Sequence, residues 1–108
     1  MTQVSDTLNL GSGSYVLSAK LYAAHTGGPS SSALNVTCMF GGEDLEDADD
    51  SATITLQPDE FHALSLASTV SVDGSVSVFV ACSASEDNAT ALSVQLIAIR
   101  VDSVQIVR

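Results

Sequence analysis

Apolar and polar residues alternate with a period of two along almost the whole chain, and the alternation breaks at clusters of Gly, Ser, Asp and Pro. In a strand successive side chains point to opposite faces, so this pattern lays one apolar face on a core and leaves the other to solvent. Nothing in the chain repeats with the 3.6-residue period of a helix. Val4 to Leu10 reads as a first short strand ended by a turn at Gly11 to Ser14. Tyr15 to His25 follows, with Tyr15, Leu17, Ala19, Leu21 and Ala23 on one face. After a loop at 26–32, Leu34 to Phe40 alternates until Gly41 and Gly42 stop it. Ala52, Ile54 and Leu56 mark a strand closed by Gln57, Pro58 and Asp59. Phe61 to Ala67 and Thr69 to Val72 are weaker strands. Asp73 and Gly74 carry the signature of a hairpin turn, and Val76, Val78, Val80 and Cys82 form an inward face behind them. A polar loop at 83–90 precedes a last strand from Ala91 to Val101.

About eight to ten short strands at near-regular spacing predict an all-β fold, an antiparallel β-sandwich or jelly roll. With 108 residues the chain is the length of one domain. Within it, 1–10 would be an N-terminal strand or arm and 103–108 a C-terminal tail in which Val104 and Ile106 still alternate with polar neighbours.

Charge narrows the partners. Thirteen Asp and Glu against three Lys and Arg give a formal net charge of −10. Nucleic-acid affinity rests on basic groups that displace counterions from phosphate, so DNA and RNA are excluded as partners. Anionic membrane surfaces are disfavoured on the same ground, and no run approaches the roughly 18 apolar residues of a membrane span. The opening residues, Met1 to Asp6, lack the basic region and apolar run of a secretory signal. The expectation is synthesis in the cytoplasm, with retention there or release by a route that needs no signal.

The chain offers little reactive chemistry. His25 ends one strand and His62 begins another, and neither sits in a nucleophile motif. The Gly11–Ser14 segment lacks the Lys-Ser/Thr that a phosphate loop requires. Asp44, Glu46, Asp47, Asp49 and Asp50 supply oxygens of the kind calcium takes, but without the alternating spacing and closing Glu of a calcium loop. They read as a solvated acidic loop. No cofactor or metal is expected, and the chain is expected not to be an enzyme. Asn35-Val-Thr37 and Asn88-Ala-Thr90 match the glycosylation pattern, which is short and common by chance. Cys38 and Cys82 each occupy an apolar-phase position in a strand. Two readings stay open for them, a pair of buried thiols or a cross-strand disulfide.

The last strand departs from simple alternation. Leu92, Val94, Leu96 and Ala98 occupy one face, whereas Ile97, Ile99 and Val101 occupy the other. A strand buried on one side has a polar outer face, so the second apolar face needs a cover. An oligomer interface at Ile97, Ile99 and Val101 is the preferred cover, with a loop or the terminal tail as the other. Tyr15, Tyr22, Phe40, Phe61 and Phe79 all fall in strands, so no loop offers the aromatic ring of a typical sugar site.

Four segments carry a resemblance. Gly13 to Lys20 reads G-x-Y-x-x-x-A-K, Thr37-Cys38 follows, Val76 to Cys82 reads V-x-V-x-x-x-C, and Leu96 to Val101 reads L-x-A-I-x-V. In this order they span nearly the whole chain and resemble small domains of actinobacteria and their phages, similar to the jelly rolls of the complement and tumour-necrosis-factor-like superfamily. The resemblance implies a homotrimer used as a knob, fibre head or surface decoration. A chain of this kind without stalk or signal fits a virion, as a capsid decoration protein or fibre knob bound to the major capsid protein or another virion protein. The alternative is a cell-surface module that binds a receptor or carbohydrate outside the cell.

Overall fold

A computed structural model describes residues 2–27, 32–42, 51–85 and 89–102. These residues are almost entirely strand, and no helix forms among them. Six strands are present: β1 (Thr2–Gln3), β2 (Leu8–His25), β3 (Leu34–Gly41), β4 (Ser51–Leu56), β5 (Phe61–Ala84) and β6 (Ala89–Val101). They pair antiparallel in the order β4-β3-β5-β2-β6, with β1 on β5. The acidic segment 43–50 and the tail 103–108 lie outside the described residues.

Two breaks expected to be turns are corrected. Gly11 to Ser14 lies inside β2, and Asp73-Gly74 lies inside β5. The two segments face each other. Gly11 pairs with Ser75 and Gly13 with Val72, so Asp73 and Gly74 together oppose Ser12 alone. That is a β-bulge, which bends both strands at one place without reversing either. Gly74 has φ 103°, open to glycine and strained for other residues. The Ser12 hydroxyl accepts from the Gly74 N–H at 2.9 Å and lies 3.3 Å from the Gly74 carbonyl, which satisfies backbone groups the bulge removes from the ladder. Fewer, longer strands result: six among the described residues, where eight to ten were expected of the chain.

β5 runs between two sets of neighbours and changes partner after Val78, beyond the bulge. Phe61 to Val78 pairs with β2 on both sides of the bulge, and β2 carries β6 on its other side. Phe79 to Ala84 pairs with β3, which carries β4. Inward side chains of both halves join one cluster, in which Leu17, Leu21, Leu56, Val78 and Val80 are wholly buried. The inward rows of Tyr15 to Ala23 and Val76 to Cys82 therefore stand as the alternation predicts. Residues of the two halves also share a cleft of about 380 Å³, between Leu21 and Ala23 of β2 and Val36 and Cys82 of β3 and β5. Ala84, Ala89 and Ala91 line it and are too short to fill it.

Two further features fix the frame. Cys38 and Cys82 stand directly opposite on β3 and β5, 4.1 Å apart at Cα, and are joined in a disulfide. Of the two readings the sequence left open, the structure takes this one. Gln57 to Glu60, where the strand was expected to stop, forms a turn: the Glu60 N–H donates to the Gln57 carbonyl at 3.1 Å, and Asp59 has φ 64°. Pro at the second position and a positive φ at the third define a type II turn.

Candidate functional site

The largest exposed apolar side chains gather on the outward side of β2, β6 and the first half of β5. Val16, Leu92, Ile97, Ile99 and Phe61 are 36%, 49%, 51%, 55% and 66% exposed. The register explains the grouping. Val16 pairs with Ile99 and Ser18 with Ile97, and Val16, Ser18, Lys20 and Tyr22 alternate outward with the buried row from Tyr15 to Ala23. Ile97 and Ile99 therefore stand where the alternation puts them, and Val101 shares their face, half-buried.

Leu92 is a correction. The sequence places it with Val94, Leu96 and Ala98 on the inner face. In the structure Lys20 pairs with Gln95 but Tyr22 pairs with Leu92, so an extra residue enters β6 between them. Ser93 absorbs it at φ 53°. One extra residue reverses the facing of everything beyond it, and Leu92 emerges on the outer face beside Tyr22. Val94, Leu96 and Ala98 remain half-buried against the core. No period-two count reveals a one-residue bulge; a Ser between apolar residues was the only trace.

Carboxylates avoid this face. Of the described Asp and Glu, Asp73 alone lies within a strand, at the bulge; Asp6, Asp59, Glu60 and Asp102 flank strand ends. In a chain of net charge −10 a carboxylate-free sheet face is where a second acidic molecule meets the least repulsion. Lys20 is the single charged residue on the outward side of β2, and its Nζ lies 5.6 Å from the Tyr22 ring centroid. Tyr22 and Phe61 meet edge to face, with centroids 6.4 Å apart. Placement in a strand does not bury Phe61. It begins β5 opposite Ala24, whose methyl is too small to cover a ring.

The histidines have structural partners. His25 is buried; the Gly27 N–H donates to its Nδ1 at 3.0 Å, so Nε2 carries the proton and donates to the Ser32 carbonyl at 2.9 Å. Both ring nitrogens thereby tie the end of β2 to the connection that follows. His62 is exposed, its Nε2 3.7 Å from a Glu60 carboxylate oxygen. Among the described residues no three His, Cys, Asp or Glu side chains gather as metal ligands would, and the acidic group at 43–50 falls outside those residues.

No protein-family model, no curated protein and no solved structure matches this chain.

Proposed function

We propose that this chain is a non-enzymatic structural protein that assembles with copies of itself through the outer face of β2 and β6. The observation that carries this reading is the exposed, carboxylate-free patch of Val16, Ile97 and Ile99. Apolar area left in water is the driving force for association, at roughly 25 cal/mol per Å² buried. The shared cluster and the cleft between the two halves support closure as a β-sandwich of jelly-roll type.

The trimer, and its use on a virion as a capsid decoration protein or fibre knob bound to the major capsid protein, rest on the resemblance of Gly13–Lys20, Val76–Cys82 and Leu96–Val101 to trimeric jelly rolls. The Cys38–Cys82 disulfide supports a working place outside the reducing cytoplasm, as a released particle provides.

Native mass in solution tests the reading. Light scattering on the eluting protein is expected to give three times the chain mass of 11.1 kDa, with and without chelator. A mass of one chain at micromolar concentration overturns self-association.

A further inference from the structure

We propose that Tyr22, Phe61 and Leu92 form a stacking corner for a neutral pyranose, so that this face carries a carbohydrate site at the end away from Val16. Phe61 is the most exposed of the large apolar side chains among the described residues. Its ring and that of Tyr22 stand at 66°, so they make a corner of floor and wall. Leu92, turned outward by the bulge at Ser93, pairs with Tyr22 on its other side and lines the corner with a third apolar group. Lys20 and Gln95 pair next along the same face. The Lys20 Nζ sits over the Tyr22 ring at 5.6 Å. The exposed Phe61 ring is therefore the stacking floor, and Tyr22 with Lys20 and Gln95 makes a wall edged by polar groups.

This combination matches the two chemical faces of a pyranose. The axial C–H groups of the sugar are apolar and weakly positive, and an aromatic face is apolar and negative. The equatorial hydroxyls both donate and accept. The Lys20 ammonium supplies donors, and the Gln95 amide supplies a donor and an acceptor. A net charge of −10 selects against acidic sugars, leaving neutral ones. Tyr22 and Val16 are six residues apart on β2, about 20 Å at the rise of a strand. The Lys20–Gln95 band lies between the corner and the Val16–Ile99 patch. The site therefore does not rest on self-association.

Amide spectra of the full chain, titrated with cellotetraose, maltotetraose and chitotetraose, test the proposal. At least one sugar is expected to shift the signals of Lys20, Tyr22, Leu92 and Gln95. Phe61→Ala is expected to weaken that binding about tenfold or more, while the variant still folds and melts cooperatively, because most of the ring is exposed. Lys20→Ala, which leaves both rings, should weaken it about threefold. Ile99→Asp should leave it unaltered. Absence of shifts from all three sugars at millimolar concentration, shifts centred elsewhere, or full affinity in Phe61→Ala would overturn the site.

Discussion

Val16 and Ile99 face each other across β2 and β6, and both point away from the core with 36% and 55% of their surface open. Substituting Ile99 therefore separates assembly from folding. Ile99→Asp places an unpaired charge in the proposed interface, a penalty of about 3–5 kcal/mol once desolvated. The variant is expected to run as a single chain while its melting temperature in that form stays near that of the parent monomer. A variant that keeps the parent's native mass places the interface elsewhere.

Val78 gives the opposite result. It is wholly buried at the centre of the inward row of β5, and an aspartate there has no partner and no water. Val78→Asp is expected to abolish folding, seen as loss of soluble protein or of any cooperative thermal transition. A soluble variant that melts sharply would remove Val78 from the core.

The disulfide closes a loop between residues 44 apart in sequence. Restricting the unfolded chain over that length stabilises the fold by about 4 kcal/mol on the loop-entropy model. Reduction under native conditions, or Cys38→Ser with Cys82→Ser, should lower the denaturant midpoint accordingly. The inward row around Val78 and Val80 should still hold the fold at low denaturant. An unchanged midpoint after reduction would show that the link contributes nothing.

Gly42 follows the end of β3, where the chain passes close over β5. It has φ 148°, and a Cβ there would overlap the Ser77 carbonyl. A Cβ at its neighbour Gly41 would lie 2.7 Å from the Phe79 ring. Gly42→Ala is expected to cost about 2–4 kcal/mol, measured as a shift in the denaturant midpoint, and more than Gly11→Ala, whose Cβ meets nothing within 4 Å.

His25 makes a subtler case. His25→Leu keeps the bulk but strands the Gly27 N–H and the Ser32 carbonyl, both of which the imidazole now satisfies. A loss of about 1–3 kcal/mol is expected, with hydrogen exchange at Gly27 rising first. Exchange and stability equal to the parent would show that water takes over both bonds.

The strand class and the inward rows were legible because burial imposes a period of two on Tyr15 to Ala23 and on Val76 to Cys82. Ile97 and Ile99 were legible as a second apolar face for the same reason. The strand breaks at Gly11–Ser14 and Asp73-Gly74 were not. Gly, Ser and Asp serve a reversal and a bulge equally well, since both need a positive φ and a short side chain that bonds to the backbone. Only the pairing of one segment with the other, some 60 residues away along the chain, distinguishes the two. Leu92 and Phe61 escaped for related reasons. A single inserted residue turned Leu92 around, and the exposure of Phe61 follows from the size of Ala24 on the neighbouring strand.

The length of β5 has a kinetic consequence. Leu8 pairs with Val78, and Cys38 with Cys82, so one segment late in the chain closes both early ones. On the ribosome β2 emerges long before its main partner and waits unpaired until Phe61 and the residues after it appear. Among the described strands, only the local β3–β4 ribbon has both partners before then. Such distant pairing makes for slow, all-or-none folding, and it leaves no fragment lacking 61–84 able to hold the architecture. The strand that binds the two halves together is also the step at which the nascent protein is most open to wrong partners.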